Sequence, residues 1–119
     1  MNHNQKIGAI GEDIAVDLLK RNGLVILARN FRCRFGEIDI IAKDHTTLVF
    51  VEVKTRKSLS CGRPEEAVTY RKQAKLRLLA AVYLQKKLSL LTSCRFDVCS
   101  IYLNKQNELD SAEILQNCF

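Results

Sequence analysis

Residues 35–54 of this 119-residue chain read FGEIDIIAKDHTTLVFVEVK, two apolar stretches joined by a short polar segment. The polar residues 43–47 favour a turn, so the stretch predicts a β-hairpin. Side chains alternate along a strand, and Glu52 and Lys54 therefore share one face of the second strand, opposite its valines. Charged groups within such apolar strands indicate a functional role.

The position of Asp39 relative to Glu52 depends on the register of this hairpin. If Ala42 pairs with Thr47, the two carboxylates are diagonal neighbours. If Ala42 pairs with Val49, they lie directly opposite each other. In both registers, Asp39, Glu52 and Lys54 share one face of the sheet.

Two carboxylates beside a lysine are suited to metal-assisted phosphoryl chemistry. Mg²⁺ prefers one or two carboxylates, with waters and phosphate oxygens completing its shell. A lysine next to them could orient a nucleophilic water or stabilise charge that develops on the phosphate. Spacing alone leaves a second interpretation open, in which Glu52 and Lys54 form an ordinary ion pair on a solvated face and Asp39 is a strand-edge residue.

The hairpin sequence resembles a known nuclease signature. GEIDIIAKD at residues 36–44, followed by VFVEVKTR at residues 49–56, is similar to the Asp…Glu-x-Lys pattern of the PD-(D/E)xK nuclease superfamily, with Ile38 in place of the proline. The best resemblance is to the YraN-type family, which is itself similar to archaeal Holliday junction resolvases. It extends over about residues 7–84 and also includes Gly8, Gly11, Glu12, Asn30 and Lys72.

The resemblance implies a fold and an activity. The fold would be an α/β, restriction-endonuclease-like three-layer core of order α-β-β-β-α-β, with a mixed sheet and an added C-terminal strand. The activity would be metal-dependent endonucleolytic hydrolysis of DNA, with branched or structured DNA as a candidate substrate. Because the superfamily also contains inactive members, the alternative is a noncatalytic nucleic-acid-binding module with the same fold.

The same resemblance implies roles for individual residues. Asp39 and Glu52 would be ligands of Mg²⁺, for which Mn²⁺ could substitute. Lys54 would be the catalytic lysine. Glu12 would be the acid that such resolvases add to the site from their first helix.

Composition sets independent bounds on this interpretation. A chain of 119 residues with 47% hydrophobic residues predicts one domain spanning residues 1–119. No apolar run approaches the length of a membrane span, and residues 1–6 lack the apolar stretch of a secretion signal. We therefore expect a cytoplasmic protein without a membrane partner. The five cysteines form no C-x-x-C pair, which argues against a zinc site.

The positive charge is concentrated in one part of the chain. The net charge is +6, and ten of the 19 basic residues fall within residues 54–87, where the only acids are Glu65 and Glu66. Such clustering is typical of a protein that binds a polyanion, so DNA is the expected partner. A solvated basic surface is the alternative explanation. The residues that we expect to contact nucleic acid are Arg56, Lys57, Arg63, Arg71, Lys72 and Lys75.

Periodicity predicts the remaining elements. Apolar spacing predicts a first helix over residues 5–21, with Glu12 at the border of its apolar face. Strands are predicted over residues 24–30, 95–103 and about 112–115, and a polar loop over residues 55–69 that carries Arg56, Lys57 and Arg63. A second helix begins after Thr69 as N-cap. Its broad apolar stripe predicts contact with the first helix or with a second copy of the chain, which would make a homodimer.

Overall fold

The fold is described from a computed structural model that covers residues 3–57, 69–86 and 93–117. Two helices and five strands follow one another along the chain. They are α1 (His3–Arg21), β1 (Val25–Cys33), β2 (Gly36–Asp44), β3 (Thr47–Lys57), α2 (Tyr70–Lys86), β4 (Ser93–Leu103) and β5 (Leu109–Leu115). Among the described residues, neither helix is long and apolar enough to cross a membrane.

The five strands form one mixed sheet in the order β1-β2-β3-β4-β5. Strands β3 and β4 run parallel and are connected through α2, while the other neighbouring pairs are antiparallel. One helix packs on each face of the sheet, giving three layers. The predicted α/β fold, with its three-layer core and added C-terminal strand, is confirmed.

The first core lies between α1 and the sheet. The helix contributes Ile7, Ala15, Val16 and Leu19. Ile10, Ile14 and Leu18, which recur at helical spacing in the sequence, pack against this core but are only partly buried. The strands contribute alternate residues, among them Val49 and Val51 of β3. Because side chains alternate along a strand, Phe50, which lies between these valines, faces the other helix.

The second core lies between α2 and the opposite face. Thr69 caps this helix as predicted, because its Oγ1 accepts a hydrogen bond of 3.2 Å from the backbone N–H of Lys72. Four residues of the predicted stripe are buried, namely Leu76, Leu79, Ala80 and Tyr83, whereas Leu78 is 48% exposed. The predicted contact with the first helix is wrong, because α1 packs on the opposite face of the sheet. Phe50 of β3 packs edge-to-face on Tyr83 and stacks on Phe96. The core therefore orients α2 along the face that carries Glu52.

The hairpin adopts the second of the two registers considered above. Ala42 pairs with Val49, and the ladder runs from the Asp44–Thr47 pair to the Ile40–Val51 pair. The turn consists of His45 and Thr46, and His45 has a φ of 56°. Asp39 and Glu52 are the next residues in this register, so they oppose each other one position beyond the last ladder pair.

Several strands extend further than the sequence pattern predicted. Strand β1 continues through Arg32 and Cys33, beyond the predicted end at residue 30, and Asn30 within it has a φ of 53°. Strand β3 continues through Arg56 and Lys57, which were expected in the long loop. Their pairing with β4 explains the difference, because the parallel ladder reaches Lys57 and satisfies its backbone there. The rest of the predicted loop, residues 58–68, lies outside the described residues.

Gly11 allows α1 to approach β3 closely. A Cβ atom at this position would lie 1.8 Å from Thr55 Oγ1 and 2.8 Å from Thr55 Cβ, far inside van der Waals contact. Gly8, one turn earlier, has no atom within 4 Å of the equivalent position. Gly11 therefore sets the distance between α1 and the sheet. Glu12, the next residue, lies close to the sheet as a result.

We expect Gly11→Ala to lower the free energy of unfolding by about 1–3 kcal/mol, because the helix must move away from the stiff side chain of Thr55. Gly8→Ala is the matched control, and it should leave stability unchanged or raise it by up to about 1 kcal/mol through helix propensity. Urea denaturation of both variants measures the difference. An unfolding midpoint for Gly11→Ala equal to that of Gly8→Ala would contradict the close approach.

Candidate active site at the end of the β2–β3 ladder

Asp39 lies in the gap where β2 and β3 stop pairing. Its Oδ2 accepts a hydrogen bond of 2.8 Å from the backbone N–H of Val53. Backbone N–H groups of a strand point along the sheet, so this bond holds the carboxylate at the level of the sheet, between the two helical layers. Residues three apart in a regular strand face opposite sides of the sheet. Ile38 and Ile41 nevertheless both belong to the core under α2, so the alternation of β2 is interrupted near Asp39.

The environment of Asp39 disfavours its negative charge. Burial raises its pKa, the nearby Glu52 carboxylate raises it further, and the hydrogen bond from Val53 opposes both effects only in part, so that the pKa reaches about 7. The charges of Glu12 and Glu37 act in the same direction. Asp39 therefore lies within reach of acids from both sides of the sheet.

Two lysines share one oxygen of Glu52. The Nζ atom of Lys72 lies 2.6 Å from Glu52 Oε1, and the Nζ atom of Lys54 lies 3.2 Å from the same oxygen. The Glu52 side chain is only 11% exposed. Lys54 comes from the same strand as Glu52, whereas Lys72 reaches it from the first turn of α2.

The pKa values of the two lysines are shifted in opposite directions. Burial and the neighbouring Lys72 lower the pKa of Lys54, and its contact with Glu52 compensates only in part. Burial also acts to lower the pKa of Lys72, but its hydrogen bond to Glu52 outweighs burial, so this pKa is raised. Lys72 therefore holds its proton more tightly than Lys54 does.

Glu12 approaches from the α1 side, so its direct partners differ from those of Glu52. Its Oε1 lies 3.8 Å from Arg29 Nη2, and its side chain is 18% exposed. Burial raises the pKa of Glu12, while Arg29 and a hydrogen bond with Asn30 lower it in part. Glu12 thus borders the cluster and acts on Asp39 through its charge.

An open cleft of about 630 Å³ lies beside Glu12. It is lined by Gln5, Gly8, Ala9, Glu12, Asp13, Arg29, Asn30, Arg32 and Glu37. Sequence reasoning did not assign Glu37, although it lies two residues before Asp39 in the same motif. The charge of Glu37 raises the pKa of both Asp39 and Glu12 and so links the cleft to the site.

The residues expected to contact nucleic acid occupy three different environments. Arg71 and Lys75 are exposed on the first two turns of α2. Lys72 points to Glu52, an arrangement that no pattern in the sequence indicated. Lys57 donates hydrogen bonds to Asn104 O, at 3.2 Å, and to Asn107 Oδ1, and Arg56 is partly buried in β3. Arg63 lies outside the described residues.

The donor set fits a hard divalent cation. In residues 3–57, 69–86 and 93–117, no three His, Cys, Asp or Glu side chains are grouped as a metal cluster. Mg²⁺ nevertheless needs only one or two carboxylates, because waters and substrate oxygens complete its shell. Asp39 and Glu52 supply that pair, and their mutual repulsion is the kind of cost that a cation relieves.

Comparison with known proteins agrees with the resemblance found in the sequence. The profile of the uncharacterised protein family UPF0102 matches residues 11–101, which include Glu12, Asp39, Glu52, Lys54 and Lys72. The chain belongs to this family. It is the YraN-type family that the sequence resembles.

Relatives in the same family align over nearly the whole chain. A UPF0102 protein of Caldicellulosiruptor saccharolyticus is 45% identical over 117 residues, covering 98% of this chain and 99% of the relative. A UPF0102 protein of Clostridium botulinum strain Hall is 50% identical over 117 residues, covering 98% of this chain and 95% of the relative. The similarity therefore includes both helices and all five strands.

The raised pKa of Asp39 predicts a specific pH dependence of stability. Between its unfolded value near 4 and its folded value of about 7, the folded state binds the proton more tightly, so stability contributed by Asp39 falls as pH rises through this window. Asp39→Asn removes this titration while keeping an acceptor for the Val53 N–H. The variant should therefore gain stability relative to the wild type as pH rises from about 4 to about 7.

Chemical denaturation in the presence of EDTA at several pH values measures this gain. Asp17→Asn, at an exposed position of α1, is the matched control and should follow the wild-type curve. A constant difference between Asp39→Asn and wild type across the window would show that Asp39 titrates as an ordinary surface acid.

Proposed function

We propose that this protein is a metal-dependent endonuclease that hydrolyses phosphodiester bonds of DNA. The observation that carries the proposal is the convergence of Asp39, Glu52 and Lys54 at the end of the β2–β3 ladder, with Lys72 added from α2. The resemblance to Holliday junction resolvases favours branched or structured DNA as substrate.

Asp39 and Glu52 would hold the cation in this proposal. A bound Mg²⁺ would polarise the phosphoryl group and lower the pKa of a coordinated water. The pKa of about 7 at Asp39 describes the site without that charge, and a cation nearby would favour the ionised carboxylate. The Val53 N–H keeps this carboxylate oriented, since the hydrogen bond uses only Oδ2.

The two lysines would act differently on the substrate. The lowered pKa of Lys54 makes it the better group to exchange a proton with the attacking water or the leaving oxygen. The raised pKa of Lys72 keeps it charged, so it would stabilise negative charge on the phosphate oxygens. Both lysine side chains are partly exposed, at 21% for Lys54 and 34% for Lys72, so a substrate can approach them from solvent.

One observation favours a noncatalytic nucleic-acid-binding module as a second candidate. Glu52 Oε1 is already paired with two ammonium groups, which could satisfy the carboxylate permanently. In that case the cluster would be a structural ion-pair network that joins α2 to β3. Metal binding separates the two functions, because a module of this kind has no need for a divalent cation.

Cleavage assays test the enzymatic proposal. Wild-type protein should cleave at least one of duplex, single-stranded, flapped and four-way-junction DNA in Mg²⁺ or Mn²⁺. Asp39→Asn should reduce cleavage by about 10²-fold or more, since it removes a ligand charge, while DNA binding in EDTA stays intact. Lys54→Ala should slow turnover to a similar degree while calorimetry still detects Mg²⁺ binding.

Asp17→Asn is the control for cleavage as it is for stability, and it should retain full activity. If wild-type protein cleaves none of these substrates with either metal and calorimetry detects no divalent binding, the nuclease proposal is wrong. The binding module would then be the better description.

DNA binding should depend on the exposed cations of α2. Removing two phosphate contacts with Arg71→Ala and Lys75→Ala together should weaken binding to all sequences alike and reduce the slope of log K against log salt by about two. The matched control is Lys20→Ala with Arg21→Ala, which removes the same charge at the end of α1. Fluorescence anisotropy at several salt concentrations measures both slopes. Equal slopes for the two double variants would reject this surface as the contact.

A further inference from the structure

Ser100 is a buried hydroxyl that lacks a hydrogen bond. Its side chain lies in the middle of β4 and is 0% exposed. Within the part of the chain that the structure describes, no group forms a hydrogen bond with its Oγ. A buried polar group without a partner destabilises the folded state, so its presence in a central strand requires an explanation.

The strand register places Ser100 beside Lys54. The parallel β3–β4 ladder pairs these two residues directly. Cys99 and Ile101 belong to the core under α1, so the side chain between them faces the α2 side, as Lys54 does. Directly paired residues on one face of a sheet lie close enough for their side chains to meet.

The present partner of Lys54 is one that catalysis would remove. Its acceptor is Glu52 Oε1, at 3.2 Å, and the same oxygen is held more closely by Lys72, at 2.6 Å. Under the proposed function, Glu52 would bind a divalent cation, and the cation would compete with both ammonium groups for this carboxylate. Lys54 then needs another acceptor, and the unpaired hydroxyl on the neighbouring strand is adjacent to it.

We propose that Ser100 is a positioning residue whose hydroxyl accepts a hydrogen bond from Lys54 when Glu52 is engaged by the cation. The inference rests on the proposed nuclease function and adds one residue to its site. Ser100 touches neither substrate nor metal. The Ser100 hydroxyl holds the Lys54 ammonium over the site. Without the cation this hydroxyl is unpaired and destabilises the fold, a loss of stability that is retained because the hydroxyl is needed for activity.

Ser100→Ala separates this role from a structural one. The variant should lower kcat by about ten- to a hundred-fold with KM unchanged, the loss expected for one hydrogen bond to a charged group. Its Tm in EDTA should equal that of the wild type or rise by a few degrees, roughly the shift expected when an unsatisfied hydroxyl is removed. Ser100→Thr keeps the hydroxyl and should recover most of kcat.

A second comparison shows whether the effect passes through Lys54. In a Lys54→Ala background, Ser100→Ala should cause no further loss of cleavage under single-turnover conditions, because the two groups act as a unit. Ser111→Ala, at an exposed position of β5, is the matched control and should change neither kcat nor Tm.

Four results would overturn the assignment. A Ser100→Ala variant as fast as wild type, or one that loses activity equally in the Lys54→Ala background, would show that the hydroxyl does not act on Lys54. A Tm several degrees below wild type would show instead that the hydroxyl stabilises the fold. Absence of cleavage by the wild type would reject the nuclease function itself and the assignment with it, a failure distinct from the other three.

Discussion

The hydrogen bond from the Val53 N–H to Asp39 is the contact around which the site is organised. It replaces a ladder bond at the point where β2 and β3 separate, and it keeps a carboxylate at the level of the sheet, close to Glu52. The two negative charges are therefore held near each other in a partly buried environment, and the pKa of Asp39 rises to about 7 as a result. Such repulsion is unfavourable for the fold alone and favourable for binding a cation.

Both helices are docked so that they contribute to this point. On one face, Gly11 lets α1 approach Thr55, and the following residue, Glu12, borders the cluster. On the other face, the aromatic contacts of Tyr83 hold α2 against the sheet, and its first turn brings Lys72 to Glu52. The hydrophobic cores thus determine where the charges lie, because the helix ends can move little once their apolar faces are packed.

The charges at the site are unequally satisfied. Glu52 has two cations on one oxygen, whereas Asp39 has a backbone donor and no cation at hydrogen-bonding distance among the described contacts. Lys54 shares its acceptor with Lys72, and Ser100 beside it has no partner within the described chain. Glu52 thus has more donors than it needs, and Asp39 has negative charge that no cation balances. Binding of a cation and a phosphate would let these contacts redistribute.

The sequence by itself determined the elements, their order and the chemistry of the hairpin. Alternating and helical periodicities depend on local geometry, and the Asp39, Glu52 and Lys54 pattern is contained within one hairpin. Only the tertiary structure decided the register, the extension of β3 along β4 to Lys57, the contact of Lys72 with Glu52, and the pairing of Ser100 with Lys54 in the β3–β4 ladder. These contacts join residues from different elements, and they depend on how helices and parallel strands pack, which no local pattern specifies.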